Sequence, residues 1–415
     1  MKILWFNWRD IRNPDAGGAE VFTHEIGKRL VKMGHQITLF TSAFENAKKE
    51  EEIDGIKIVR DGNKYSVYGR AKDYYKKNKD QFDLVIDEIN TKPFLTPTFV
   101  KDKPIIAIIH QLAREFWFYE TRFPLNVLGY YFLEKYWLRK YTDIPMVTVS
   151  ESTKNGLINL GLKKVHVITQ GLDVKALDSL PEKESKPTLL FVGRFKKAKK
   201  PDDAIKAFTI VKRNIPDAQL WMVGDGYMMQ DLRKLADHGI DNNGKSGKDK
   251  KIIVSSIDED NMQSMENNVD SVTFYGRISS QQKLELMAKA HLLLMPGVRE
   301  GWGLVVTEAN MMGTPAIAYD VPGLRDSVVD KVTGQLIPRN DYVAMAIAAV
   351  ELLKDESKRN TYSRNAIKWA QKFNWDRTTN EFADILDGYV RRYTEEDLIA
   401  DEMQKATHHK LENKK

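Results

Sequence analysis

The sequence contains no cysteine. That absence removes disulfides, thiolate nucleophiles and cysteine-ligated metals from the available chemistry, and it suits a reducing compartment. Long apolar runs are missing too. Nothing approaches the roughly 18 residues that a membrane-spanning helix needs, and the opening Met1-Lys2-Ile3-Leu4-Trp5-Phe6-Asn7 lacks the apolar core and cleavage site of a signal peptide. A cytoplasmic protein is expected. Charge of one sign is scarce: 64 Lys and Arg against 58 Asp and Glu leave a net +6. A dedicated nucleic-acid binder would concentrate far more positive charge on one face, so no nucleic-acid partner is expected. Anionic substrates or an anionic membrane surface fit this balance better.

What is present is ordinary for a globular protein. Hydrophobic residues make up 42% of the 415 and charged residues 29%, enough to bury more than one core. The chain reads as alternating strands and helices. Ile3-Leu4-Trp5-Phe6 is a buried strand, a loop carrying Gly17 and Gly18 follows, a helix is expected from about Glu20 to Met33, and Ile37 to Phe40 is the next strand. Further strands are expected at Leu84 to Ile86, Ile105 to Ile109 and Met146 to Val149. After the proline- and charge-rich stretch 180–187 the pattern restarts with Thr188 to Val192, a helix near Asp203 to Asn214, and strands at Gln219 to Val223, Val272 to Phe274, Leu292 to Leu294 and Ala316 to Tyr319. The alternation predicts an α/β fold of two Rossmann-like, doubly wound domains facing a central cleft, with ligands outside the carboxyl ends of the strands. The expected divisions are 1–182, 183–375 with a polar surface insertion at 241–268, and 376–415, a helix crossing back to the first domain plus a charged tail.

The most informative segment is Glu300 to Glu308. Directly after the apolar run Leu292 to Pro296, two acids bracket Gly301-Trp302-Gly303-Leu304-Val305-Val306-Thr307. Glycines let the backbone approach a phosphate closely, and the start of the following helix favours negative charge, which leaves both carboxylates for hydroxyl groups. Arg194 and Lys199, in the turn after strand Thr188 to Val192, add two cations: arginine can bind a diphosphate through paired hydrogen bonds and lysine adds a point charge. Taken alone, each is also compatible with ordinary surface charge.

The spacing of Glu300 and Glu308 resembles the E-x7-E signature of the retaining family 4 glycosyltransferases, and the likeness runs from Gly17-Gly18 to about residue 380. The resemblance implies the two-domain GT-B fold, with acceptor on the first half and nucleotide sugar on the second. It implies that Arg194 and Lys199 hold the diphosphate, Glu300 meets the donor sugar, and Glu308 meets the ribose, while the backbone at Gly303 and Leu304 faces phosphate. Gly17 and Gly18 match the loop that approaches the diphosphate as the cleft closes, His110 matches a histidine near the reacting centre, and Gly224 belongs to the loop beside the base. The implied activity is metal-independent hexosyl transfer from a UDP- or GDP-hexose to a glycan or lipid-linked glycan, without a cofactor. Lys200 stands where the family often has glycine, Trp302 where phenylalanine is common, and Gly297 where serine is frequent. Asp258-Glu259-Asp260 has the D-x-D pattern of a metal site in a different fold, and reads as a solvated acidic run.

Between Arg114 and Tyr141 aromatic residues alternate with Arg122, Lys135, Arg139 and Lys140. This density suits either a helix pair packed into the core or a membrane interface, where rings sit at headgroup depth and cations meet anionic lipid. Both readings stand at this stage. So do a sugar-nucleotide epimerase, a phosphorylase and a non-catalytic glycan- or lipid-binding module, each explaining the paired acids and cations less well than a transferase. An exposed patch would favour a lipid-linked acceptor and a peripheral position at the inner face of the membrane.

Overall fold

The computed structural model describes residues 1–174, 180–238, 254–256 and 271–412; of His238, 254–256 and 396–412 the backbone alone is described. The strands are β1 (Lys2–Phe6), β2 (Gln36–Thr41), β3 (Glu50–Ile53), β4 (Ile56–Arg60), β5 (Leu84–Ile89), β6 (Ile105–Ile109), β7 (Met146–Thr148) and β8 (Val165–Val167), followed by β9 (Thr188–Val192), β10 (Gln219–Val223), β11 (Val254–Ser256), β12 (Val272–Gly276), β13 (Leu292–Met295), β14 (Ala316–Tyr319) and β15 (Gly334–Ile337).

They form two sheets. The first has eight strands in the order β3-β4-β2-β1-β5-β6-β7-β8, and the second has seven described strands in the order β11-β12-β10-β9-β13-β14-β15. Every pairing is parallel except β3 with β4. Parallel sheets carry helices on both faces, which is why β6 and β9 are buried along their whole length and apolar at nearly every position.

The helices follow from amphipathic spacing and end chemistry. Helix Gly18–Lys32 buries Phe22, Ile26 and Leu30 on one face, carries Glu20 in its first turn and Arg29 and Lys32 in its last, and gives way to Gly34 at φ +91°. Acid at the start and base at the end complement the helix dipole. Helix Pro201–Asn214 begins two residues earlier than expected, with proline at its first position and Lys200 in the left-handed region at φ +48°. A glycine there would meet no steric cost, whereas lysine must hold this conformation against one.

Two findings go beyond the sequence reading. The stretch 241–268 lies mostly outside the described residues, as does Asp258-Glu259-Asp260, but Val254–Ser256 pairs in parallel with β12. That part of the expected insertion is an edge strand. The acidic run Glu50-Glu51-Glu52 forms β3, half of a hairpin whose turn residues Asp54 and Gly55 both have positive φ, the geometry that two-residue hairpins require.

The chain passes between the halves twice. Segment 180–184 is fastened to the second half, where Lys183 Nζ donates to Ala288 O at 2.9 Å, Gly313 O at 3.1 Å and Thr314 Oγ1 at 2.8 Å. Helix Trp375–Glu412 returns to the first: Phe382 stacks on Trp5 with ring centres 5.8 Å apart, and Trp375 meets Phe22 edge-on at 6.0 Å. Full burial of Phe382 contributes on the order of 2 kcal/mol to that attachment. At Gly171 a Cβ would sit 2.4 Å from Trp375 N, so the two crossings lie against each other where no side chain fits.

Candidate active site

The parallel strands of both sheets run toward one cleft, and the loops leaving their carboxyl ends carry the charged residues. After β1, the loop to helix Gly18–Lys32 is held from within. Glu20 accepts from Gly17 N at 2.6 Å and from Arg9 Nε at 2.9 Å, while buried Arg60 binds Asp10 through Nε at 2.7 Å and Nη2 at 2.9 Å. After β6 comes His110, 7% exposed. Its Nε2 lies 3.0 Å from Glu88 Oε1, and since a carboxylate can only accept, that nitrogen is the donor; Nδ1 faces Gln170 Nε2 at 3.5 Å. Glu88 is fully buried and also accepts from Trp5 Nε1 at 2.8 Å and Thr23 Oγ1 at 2.5 Å. Both ring nitrogens therefore have protein partners, which fixes the orientation of the ring.

In the second half, Arg194 follows β9 and reaches across the cleft, donating through Nη2 to the carbonyls of Asp15 and of Ala16, the latter at 2.8 Å. Burial first, then the neighbouring Arg9 charge, lowers the proton affinity of the Arg194 guanidinium; burial and then Arg194 do the same to Lys196. Arg277, whose Nη1 lies 3.4 Å from Pro14 O, adds to the crowding. Cations that disfavour one another's charge are an arrangement that an anion between them relieves. Lys199, on the turn after Arg194, forms an ion pair with Glu300 Oε1.

Main-chain proximity explains the glycines. Gly224 has φ +134° and a Cβ there would lie 2.0 Å from Gly193 O, so the loops after β9 and β10 touch backbone to backbone. Gly323 has φ +86°, with its Cβ position 2.2 Å from Glu300 O. Gly301 approaches His110 from the other half: a Cβ would lie 2.8 Å from His110 O. Gly303 caps helix Leu304–Met311 at φ +91°, and the Leu304 side chain lies 3.4 Å from the Cβ position of Gly18. Glu308, inside that helix, is gripped by Lys283 Nζ at 2.8 and 2.7 Å.

The structure thus gathers Gly17, Gly18, Arg194 and Leu304 around one point, and His110, Glu300, Gly301 and Lys199 around an adjoining one. Glu308 stands farther along its helix with Lys283, and Gly224 with Gly193. Among the described residues no group of three or more His, Asp or Glu converges as a metal site would require. Several cleft residues gave no signal in the sequence. Ser152 N donates to Asp326 Oδ1 at 3.0 Å and Ser152 Oγ accepts from Gly323 N at 2.9 Å, a bridge between halves, whereas Ser150 is a buried helix cap. Arg9, Lys196 and Arg277 look like surface cations until the two halves face each other.

The aromatic stretch is divided. Trp117, Leu138 and Tyr141 are buried, whereas Phe118, Phe123, Tyr131, Phe132 and Tyr136 are exposed, Phe123 at 81% and Phe132 at 63%. Arg122, Lys135, Arg139 and Lys140 are exposed beside them. The one acid between 121 and 141, Glu134, is turned inward and accepts from Ala113 N at 2.6 Å and Arg114 N at 3.0 Å. Among the described residues no helix is long and apolar enough to cross a membrane.

Comparison with known proteins gives this geometry a family. Residues 175–245 and 258–369 match Glycosyl transferases group 1, and residues 16–176 match Glycosyltransferase Family 4. A D-inositol 3-phosphate glycosyltransferase of Salinispora tropica is 36% identical over 116 residues, 28% of this chain and 24% of that protein. A phosphatidyl-myo-inositol mannosyltransferase of Mycobacterium leprae is 26% identical over 215 residues, covering 50% and 49%. The chain spans half or less of the length of the curated relatives matched first, at 24%, 49% and 42%. The crystal structure of HepE from Anabaena in complex with UDP-glucose shares the fold, with a TM-score of 0.66 and 17% identity over 94% of this chain and all of that one. With two adjoining family matches and this two-sheet fold, the chain belongs to the family 4 glycosyltransferases of the GT-B type.

Proposed function

We propose that the chain transfers a hexose from a nucleoside diphosphate sugar to a glycan acceptor, with retention at the anomeric carbon. The observation that carries this is the pairing of Lys199 with Glu300 beside the Gly303-capped helix start, faced by Arg194 and the Gly17 loop. In the reaction the bond from the anomeric carbon to the diphosphate oxygen breaks, the acceptor oxygen bonds to the same face, and the acceptor's proton passes to a β-phosphate oxygen. Arg194, Lys199 and the amides at Leu304 stabilise the charge that develops on the leaving diphosphate, so the cations take the part a metal ion plays elsewhere. Glu300 and His110 orient the sugar, and Glu308 receives the ribose hydroxyls. With its ring nitrogens committed to Glu88 and Gln170, His110 acts by position, not by proton transfer.

The HepE complex with UDP-glucose makes a UDP-hexose the first donor to test, with GDP-hexose next. The mannosyltransferase relative, named for a phosphatidyl-inositol, supports a lipid-linked acceptor. The exposed surface of 121–141 supports it further. Its rings stand beside four exposed cations and no exposed acid, a complement to an anionic lipid surface at the inner face of the membrane.

The decisive experiment offers UDP-, GDP- and ADP-sugars and follows free nucleoside diphosphate, with and without a membrane lipid extract. Release from one donor, enhanced by the extract, is expected. Folded protein that releases nothing from any donor in the presence of intact lipid would rule out the transferase reading. Sedimentation with phosphatidylglycerol vesicles tests the surface: charge reversal at Arg139 and Lys140 should abolish it, and unchanged sedimentation counts against docking.

A further inference from the structure

The short helix Phe116–Glu120 stands between the exposed aromatic surface and the Lys199–Glu300 pair, and an acid at each end reaches across the cleft. Glu115 Oε2 accepts from Arg299 Nε at 2.8 Å, with Arg339 Nη1 3.7 Å from its other oxygen. Arg299 is 8% exposed and immediately precedes Glu300. Glu120 Oε1 accepts from Ala198 N at 3.0 Å, the residue before Lys199, and its Oε2 accepts from the Tyr227 hydroxyl at 3.1 Å, which in turn accepts from Lys197 N at 2.8 Å. Both members of the Lys199–Glu300 pair thus have a neighbour held from the first half. Burial alone would raise the Glu115 carboxyl, but the Arg299 hydrogen bond and charge outweigh it and hold it below its ordinary value.

The other side of this helix is bound tightly to the exposed segment. Gly129 lies against the Trp117 indole so closely that a Cβ would sit 2.2 Å from it. Buried Glu134 accepts from the amides of Ala113 and Arg114, just before Glu115. A displacement of 121–141 would therefore be passed toward Glu115 and Glu120 through the Gly129–Trp117 contact and the Glu134 hydrogen bonds, because close-packed contacts transmit strain.

We propose that Glu115 and Glu120 are positioning residues through which docking of segment 121–141 on an anionic lipid surface sets the donor site, so that docking tightens nucleoside diphosphate binding. This rests on the transferase and surface readings above. Coupling between sites is reciprocal: bound nucleotide must tighten docking by the same factor.

The test titrates UDP and GDP into the full chain, with and without phosphatidylglycerol vesicles, while sedimentation records docking. Wild-type protein should sediment with vesicles and bind one nucleotide about fivefold or more tighter when docked, the lower range for a coupled pair of sites. The double variant Glu115→Ala, Glu120→Ala should sediment equally well but show no gain. Glu120→Gln keeps an acceptor for Ala198 N and should retain most of the gain, which Glu120→Ala should not; a general loss of structure would not separate those two. Glu120 is exposed, so its single variants carry the test even where the double variant melts early. Docked wild-type protein with unchanged nucleotide affinity overturns the coupling alone. A gain retained in the double variant overturns the role of the two acids. Failure to sediment removes the docking surface and the coupling with it, leaving donor turnover to judge the transferase reading, and binding of neither nucleotide overturns this inference and the UDP- or GDP-hexose donor, again leaving turnover to judge the transferase reading.

Discussion

Lys199 Nζ and Glu300 Oε1 form an ion pair between residues 101 apart in sequence, in loops that leave the neighbouring strands β9 and β13. Their side chains are 27% and 12% exposed, a setting in which a single pair contributes about 1 kcal/mol or less to stability. Chemistry at the pair should therefore be separable from folding. Glu300→Gln and Lys199→Ala, like Arg194→Ala, are expected to lower donor turnover by roughly 100- to 1,000-fold while thermal melting stays close to wild type. Near-normal turnover in either member of the pair would remove it from the proposed machinery.

Gly301 gives a second, steric prediction. It meets His110 O across the cleft, at a distance that leaves no room for a Cβ. Its φ is not in the left-handed region, so alanine introduces no local backbone strain; what it obstructs is the approach of the two halves. Gly301→Ala should raise the donor KM or lower kcat by about tenfold or more, since misplacing reacting groups by an ångström is that costly, and should leave melting nearly unchanged. Kinetics indistinguishable from wild type would mean that the halves need not approach this closely during turnover.

The parts of the fold that were legible in the sequence are those whose physics is local. Ile105–Ile109 and Thr188–Val192 are covered on both faces, so their strands read as unbroken apolar runs. Strand β3 escaped because a half-exposed edge tolerates Glu50-Glu51-Glu52, and the Asp54-Gly55 turn was its only signal. Arg194, Lys199, Glu300 and Glu308 stood out because each follows a readable strand or glycine turn. Their partners did not. Glu88 behind His110, Glu115 beside Arg299 and Glu120 against Ala198 depend on how segments 22 to 184 residues apart face one another, and no sequence spacing encodes that. The stretch 114–141 was ambiguous because it is divided: helical spacing of aromatics cannot tell buried Trp117 from exposed Phe123 when both occur in one segment.

His291 provides a prediction about stability. Its Nδ1 accepts from Thr188 N at 3.0 Å, joining the residue before β13 to the first residue of β9. Burial first, then the charges of Arg359 and Lys183, lowers its pKa to about 4. The unfolded chain protonates this ring near pH 6.5, so between about 6.5 and 4 the unfolded state binds the extra proton and stability falls as pH falls. The contribution is fully present above pH 6.5 and is lost through the folded value, a change of at most about 3 kcal/mol from this residue. Melting followed from pH 8 to pH 4 should therefore be flat at first and then decline, and His291→Gln, which cannot protonate, should flatten the decline while lowering stability at neutral pH. A decline of the same slope in the variant would assign the acid sensitivity to other groups.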